Sequence, residues 1–361
     1  MKKFILGTTA LIAASALTMG VASAAEKKEV QKIKLNVSGY LQTSFVVADY
    51  DTGDQLPTDI RHEGEIHFTG KTTLDNGLEF GVNVQLEARE STDQIDETFM
   101  YVEGSFGRVI MGSENSASYL MHYGSPSPVP AWGLNSPNAN AGGFTTPSTY
   151  TNEISDADKI TYFTPRFSGF QLGASFTPDS DEETGTGSTA TAVAASPYAP
   201  IKAEGDENEG FSVAVNYVNS FNEISVAASL GYEIITTDTA GLGDTEEISV
   251  GGSVGFSGFK VGGAYKFTDE DGGAAGVERH DYNLGVTYGM GPWKVGLQYA
   301  GVSMDDTSDG ELHAFVLGGQ YVLGPGITAF GGIQYWDGEN DRVGSEGENA
   351  TIFFLGTSLS F

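Results

Sequence analysis

The side chains most able to do chemistry in this sequence are five histidines and several runs of acids. The histidines are too scattered to form a local zinc motif, and none stands in a signature with a serine or carboxylate that indicates nucleophilic catalysis. No phosphate-binding glycine loop occurs. The absence of cysteine excludes disulfides, thiolate metal sites and cysteine nucleophiles. We therefore expect neither an enzyme nor a cofactor. The histidines are His62, His67, His122, His280 and His313.

The acids fall in runs that could hold calcium, because oxygen ligands suit hard cations. Solvated loop charge is the simpler interpretation of the same runs, which are Asp179 to Glu183, Glu204 to Glu209 and Asp269 to Asp271. Overall, 48 acids against 18 lysines and arginines give a formal charge of -30. A surface of this sign repels the phosphate backbone, so we expect no nucleic-acid partner.

Residues 1–24 are predicted to be a signal peptide. A basic start at Lys2 and Lys3 precedes an uncharged, largely apolar stretch from Phe4 to Leu17, and small residues up to Ala24 form a small-x-small cleavage site. An uncleaved membrane anchor is the alternative, since the whole uncharged run is just long enough to span a bilayer. The mature chain, 25–361, is then exported through the periplasm.

The elements that must position these side chains are short amphipathic strands. From residue 33 onward, apolar side chains occupy every second position in many segments, and almost no helical period appears. A period of two predicts strands with one apolar and one polar face. The first such strand carries Ile33, Leu35, Val37, Leu41 and Phe45 on its apolar face.

The connectors between these strands alternate between two kinds. Eight are polar, mostly longer and acidic, and seven are tight turns rich in residues that tolerate turn dihedrals. Seven and eight connectors join 16 strands. An even count puts both termini on the short-turn side, as in outer-membrane barrels. The sequence therefore predicts an all-β fold, a 16-stranded antiparallel transmembrane β-barrel whose last strand pairs with its first. The turns lie at 75–77, 105–107, 167–169, 219–221, 257–258, 289–292 and 324–326.

The mature chain resembles the trimeric general-diffusion porins of Gram-negative outer membranes, in particular the type with few basic residues. The resemblance is carried by Phe68-Thr69-Gly70, by the stretch from Asp75 to Gly81, by the stretch from Gly104 to Gly112 with the long third loop that follows, and by the terminal Phe361. It implies a homotrimer in the outer membrane that contacts the lipid bilayer and lipopolysaccharide. It also implies passive diffusion of small hydrophilic solutes and ions, and recognition of Phe361 by the outer-membrane assembly machinery.

The resemblance further implies that the third loop, 113–156, folds into the barrel as a constriction loop. Where this family commonly has arginines, the sequence has Glu65 and Ser113, so the pore leans acidic and we expect a cation preference. Arg61, Glu63 and Lys71 are predicted to line the lumen wall. The predicted constriction residues are Glu65, His67, Asn83, Gln85, Glu87, Arg89, Asp96, Arg108, Ser113, Glu114, Tyr119, His122, Tyr123 and Trp132.

Two other protein classes fit parts of the composition. A secreted, calcium-dependent adhesin would also be acidic, glycine-rich and free of cysteine, but the Gly-Gly-x-Gly-x-Asp repeat of such β-solenoids is absent. An outer-membrane barrel hydrolase could build its site from residues that are distant in sequence.

Overall fold

The computed structural model describes residues 33–51, 57–88, 94–136, 141–180, 207–237, 243–270, 277–305, 310–339 and 348–361. The predicted signal peptide and Arg89 lie outside these ranges, as do the parts of the acid runs considered for calcium at 181–183, 204–206 and Asp271. Among the described residues, no helical segment is long and apolar enough to cross a membrane.

The described chain forms sixteen strands and one short helix. All strand pairs are antiparallel and neighbours in sequence are neighbours in the sheet, which confirms the predicted fold. The elements are β1 (Lys34–Tyr50), β2 (Thr58–Thr73), β3 (Glu79–Glu87), β4 (Ile95–Gly104), β5 (Gly107–Ser113), α1 (Ala117–Leu120), β6 (Asp158–Phe163), β7 (Phe170–Thr177), β8 (Glu207–Phe221), β9 (Ile224–Thr237), β10 (Thr245–Phe256), β11 (Phe259–Glu270), β12 (Val277–Met290), β13 (Trp293–Asp305), β14 (Gly310–Gly324), β15 (Ile327–Glu339) and β16 (Glu348–Ser360).

The sheet closes where β16 pairs with β1. Next to this ladder, the backbone N–H groups of Gly39 and Phe361 each donate to the other residue's carbonyl oxygen, at 3.0 and 3.1 Å. Closure matters because an open edge would leave backbone groups without partners in hydrocarbon. The predicted pairing of first and last strands is confirmed.

The seven short turns connect β2–β3, β4–β5 and every second pair thereafter. Ser257 and Gly258 both have positive φ, 49° and 86°, as a two-residue hairpin turn requires. One predicted turn is misplaced. β8 continues through 219–221, and the chain reverses at Asn222, which tolerates its φ of 55°.

The barrel is apolar outside and polar inside. Leu355 on β16 is 70% exposed, whereas Gln298 on β13 and Gln334 on β15 are fully buried on the inner face. One large aromatic side chain is an exception to this rule. Phe163 points inward, where it packs in one cluster with Ala117 of α1. Apolar strand faces thus form the outer surface, and polar faces surround the interior.

Strand length is uneven around the barrel. β3 to β7 have 6 to 10 residues each, while the other strands have 12 to 17. The long third loop, 114–157, leaves β5 and returns to β6, the two shortest strands. The short strands β3 to β7 therefore form a low arc of the barrel wall. The third loop enters the barrel from this low arc.

Candidate functional site

The outgoing limb of the third loop follows the inner wall of the barrel. Inward-facing serines on three successive strands, β7, β8 and β9, each accept a hydrogen bond from a backbone N–H of the loop. Each serine satisfies a donor that would otherwise be buried without a partner. The pairs are Ala117 with Ser175, Ser118 with Ser212 and Tyr123 with Ser229, at 2.8, 2.9 and 2.8 Å.

The far end of the loop is anchored on the opposite strands by Trp132. Its indole N–H donates to Ser44 Oγ on β1 at 3.1 Å, and its ring stacks on Phe354 of β16 with centroids 4.8 Å apart. The Gln334 side-chain amide on β15 donates to the Trp132 carbonyl at 2.9 Å. Trp132 is fully enclosed, so it holds the loop against the wall and does not line an open passage.

The returning limb is held by three buried carboxylates. Asp281 on β12, Glu247 on β10 and Glu233 on β9 accept backbone N–H groups from three loop residues in turn. Hydrogen bonds to carboxylates are stronger than those to neutral acceptors. The contacts are Ser148 N–H to Asp281, Asn152 N–H to Glu247 and Ile154 N–H to Glu233, at 2.9, 2.6 and 2.9 Å.

Two of these carboxylates have buried cationic partners. Lys266 on β11 forms an ion pair with Glu247, and Arg279 on β12 pairs with Asp281 at 2.7 Å. Paired charges can be buried at a much lower cost than isolated ones. None of these four residues is among the predicted site residues. Their inward position follows from strand alternation, but no sequence signal indicates which loop segment they contact.

Lys159 on β6 fastens the base of the loop. Its buried ammonium donates to the carbonyl oxygens of Glu114, Ser155 and Ala157, which belong to the first and the last residues of the loop. The two ends of the loop are thereby held at one point. Lys159 is a further functional residue that sequence patterns did not indicate.

Tyr119 and His122, predicted to line the constriction, instead join the two limbs of the loop. The Tyr119 ring lies 4.7 Å from that of Tyr150, and His122 Nε2 is 3.0 Å from Thr149 Oγ1. Burial lowers the pKa of His122 to about 3 and raises that of Tyr150 to about 12. Both side chains are therefore neutral in the docked loop. Tyr123, half-buried, is the better candidate to face the interior space.

Acids are concentrated at the root of the loop. The β3–β4 register shifts between Val84 and Leu86, so Asp96 and its neighbour Glu97 are both buried. Glu97 was missed because strict alternation allows only one of two adjacent residues to point inward. Burial raises the pKa of Glu114 to about 7, although the hydrogen bond that its carboxylate accepts from the Asn115 backbone N–H opposes that shift. Glu114 is therefore only partly ionised at neutral pH.

Two predicted residues on β5 have different outcomes. Ser113 pairs with Thr98 and follows Met111 at a spacing of two, which places it on the outward face. Its prediction as a constriction residue is wrong, because the strand period puts Gly112 on the inner face instead. Arg108 does face inward, with its guanidinium 4.0 Å from the centroid of the Tyr101 ring.

The wall formed by β1, β2 and β3 carries a second group of acids. The Tyr40 hydroxyl donates to Glu63 at 3.2 Å and to Glu65 at 3.0 Å, and His67 Nε2 lies 2.9 Å from Glu65. Glu65 stands directly opposite Glu87 in the β2–β3 ladder. The structure therefore brings together four predicted residues, which are Glu63, Glu65, His67 and Glu87.

The other predicted residues of this wall surround the acids. Asn83 and Gln85 are buried on the inner face of β3. The predicted lumen cations are paired with other acids. Arg61 is 3.9 Å from Asp59, and Lys71 forms an ion pair with Glu79 at 3.2 Å. The acidic side chains therefore dominate this part of the described interior.

Comparison with known proteins places the chain in a family. A model of the Gram-negative porin family matches residues 7–341. A porin of Rhodobacter capsulatus is 25% identical over 296 residues, covering 77% of this chain and 87% of that protein. An uncharacterised protein of Rickettsia conorii is 23% identical over 252 residues. The chain spans 57% of the length of that relative.

Solved structures share the fold. The anion-selective porin from Comamonas acidovorans is 19% identical, with a TM-score of 0.64, and the likeness covers 91% of this chain and all of that one. At this identity the likeness supports the closed barrel alone. The family match covers nearly the whole sequence and agrees with the sixteen-stranded barrel and its inward loop. This chain belongs to the Gram-negative porin family.

Proposed function

We propose that this protein forms a water-filled channel in the outer membrane through which small hydrophilic solutes and ions diffuse passively. The observation that carries the proposal is a closed barrel with an apolar exterior, a polar interior and a long loop docked inside. Such a barrel needs no energy source to conduct. The family match favours neither the adhesin nor the barrel hydrolase.

The low arc of the wall supports a homotrimer. A strand needs about 9–11 residues to cross the hydrocarbon core, and β5, β6 and β7 have only 7, 6 and 8. An outer face this short is better covered by another protein than by lipid. Met100 and Met111 lie directly opposite each other on this face, and both are strongly exposed. Phe99, which precedes Met100 on β4, points inward and is not part of this face.

The channel is further proposed to pass cations more readily than anions. Glu63, Glu65 and Glu87 give the inner wall a negative potential, and the net charge of -30 acts in the same direction. Rings of carboxylates favour cations in channels. Arg61 and Arg108, both on the inner face, limit the preference. It should be strongest at low ionic strength, where screening is weakest.

The remaining partners follow from the location. Lipid contacts the apolar outer face, and lipopolysaccharide contacts its external rim after export through the periplasm. Phe361, which is exposed and ends β16 next to the closure seam, is the proposed signal for the assembly machinery. Deleting Phe361 should reduce the amount of folded protein in the outer membrane, while refolding into detergent is retained.

Reconstitution into a planar bilayer with a salt gradient tests the channel. We expect stepwise conductance and a reversal potential on the cation side. Protein heated to the unfolded state before addition is the control. Absence of conductance steps would show that the barrel is plugged and would contradict diffusion.

Cross-linking in mild detergent tests the trimer separately. We expect a species of three chains that disappears on boiling. A native mass of one chain, with no larger cross-linked species, would contradict the proposed assembly and leave the channel proposal intact.

A further inference from the structure

We propose that the inner wall of β1, β2 and β3 holds a calcium site built from Glu63, Glu65 and Glu87. One carboxylate oxygen from each residue lies within 4.8 Å of the other two. Oxygens on opposite sides of a calcium ion, each at about 2.3–2.6 Å, are about 5 Å apart. The spacing therefore suits three ligands that share one ion.

Two buried amides point to a ligand independently of the acids. Gln42 stands directly opposite Glu63 in the β1–β2 ladder and is only 6% exposed, yet its Oε1 has no hydrogen-bond partner in the described chain. Directly opposed side chains in a ladder lie about 5 Å apart at Cβ. A buried carbonyl oxygen without a partner is costly, and coordination to a hard cation would satisfy it.

Gln85 repeats this pattern on the other side of the group. It is 1% exposed, shares the inner face of β3 with Glu87, and both polar atoms of its amide lack partners among the described residues. Its ladder partner is His67, which contacts Glu65. The acids thus stand between two amides that can each supply an oxygen.

The donor set selects the ion. Carboxylate and amide oxygens suit calcium, whereas zinc favours histidine nitrogen and cysteine sulfur. Calcium accepts six to eight ligands in irregular geometry, while magnesium needs a near-octahedral shell and retains several waters. A wall built from three strands offers oxygens at positions fixed by the ladder, which favours the more tolerant ion.

The site differs from the acid runs in the external loops, and its existence does not depend on conduction. Its consequence does rest on the proposed function. A bound ion would neutralise part of the wall, so calcium removal should strengthen the cation preference of the channel. A binding measurement keeps the two questions apart.

Equilibrium dialysis of calcium against the folded, detergent-solubilised protein tests the site after chelator treatment. The double variant Glu65→Gln, Glu87→Gln should bind one ion fewer per chain at millimolar calcium, the range of extracellular sites with Kd of about 10⁻⁴–10⁻³ M. The control, Glu246→Gln with Glu311→Gln, removes the same charge from the outer face and should bind as wild type does. Equal binding by the site variant and wild type would overturn the proposal.

Terbium luminescence gives a second readout that keeps every carboxylate. The Tyr40 hydroxyl contacts two of the proposed ligands, so a terbium ion bound there should be sensitised by that ring. Tyr40→Phe should lower the calcium-displaceable emission, whereas Tyr299→Phe should not. If the double variant fails to fold, this comparison decides, and unchanged emission from Tyr40→Phe would refute the site.

Discussion

The barrel has two acidic inner walls that are used differently. On the wall under the loop, Glu247 and Asp281 each accept a loop N–H and pair with a buried cation. On the wall of β1, β2 and β3, Glu63 and Glu65 share the Tyr40 hydroxyl, and the lysine and arginine described on β2 are paired elsewhere.

The difference shows that an inward carboxylate has no fixed role in this barrel. The same residue type, at the same kind of strand position, fastens a loop when backbone donors and a cation face it. Where such donors are few, we propose that its charge acts on mobile ions instead. The opposing surface, and not the strand, therefore determines what the acid does.

The largest effect is expected from removing a cation of the covered wall. Lys266→Ala leaves the buried Glu247 without its cationic partner, which should destabilise the docked loop by about 3–5 kcal/mol. The measurement is the temperature at which the folded form is lost on a gel. Lys71→Ala, which breaks a largely exposed pair with Glu79, is the control and should cost less than about 1 kcal/mol. Equal melting of the two variants would contradict the comparison.

A change on the other wall should alter conduction more than stability. Glu65→Arg places a positive charge among Glu63 and Glu87, and we expect the ratio of cation to anion permeability to fall several-fold at low salt. The reversal potential in a salt gradient measures this. Glu311→Arg on the outer face is the matched control. An unchanged reversal potential for Glu65→Arg would show that other residues set the selectivity.

Acid should act on the loop through two opposing groups. The pKa of His122 is lowered to about 3, so docking weakens as pH falls below about 6.5, where the released histidine takes up a proton. The pKa of Glu114 is raised to about 7, so its effect is opposite. The docked acid binds a proton at pH values where the released acid does not, and docking weakens as pH rises from about 4.5 to 7.

These shifts predict that two variants diverge in opposite directions. We compare each variant with wild type as the pH falls from about 7 to about 4.5. At the acid end the loop amides of 148–154 should be better protected from exchange in His122→Gln than in wild type. In Glu114→Gln they should be less well protected than in wild type. Each change should be on the order of 2 kcal/mol. Hydrogen exchange, corrected for its intrinsic pH dependence and referenced to β12, measures the effect. The same trend in both variants would contradict the assignment.

The smallest effect on stability is expected for Glu246, the residue next to the buried Glu247. Glu246 precedes Glu247 but points outward, where it accepts a hydrogen bond from the Tyr232 hydroxyl at 3.0 Å. Glu246→Gln should change stability by less than about 0.5 kcal/mol. A loss comparable to that of Lys266→Ala, by the same gel assay, would show that facing direction does not separate the two acids.

Local pattern was sufficient for the architecture. A strand is specified by alternation over a few residues and a turn by two or three, so the sequence alone predicted sixteen strands, the closure of β1 on β16 and six of the seven turn positions. Alternation also placed Glu63, Glu65, Asn83, Gln85 and Glu87 on the inner face. These predictions need no knowledge of distant contacts.

What the sequence by itself determined was therefore the barrel and the facing of most wall residues. Only the tertiary structure decided the path of the loop, the Lys266–Glu247 pair and the enclosure of Trp132. It also revealed the shift that buries Glu97 beside Asp96, and it placed Ser113 outside. The physical reason is distance along the chain. Asn152 meets Glu247 across 95 residues, and no local period specifies which backbone donor a buried carboxylate will face.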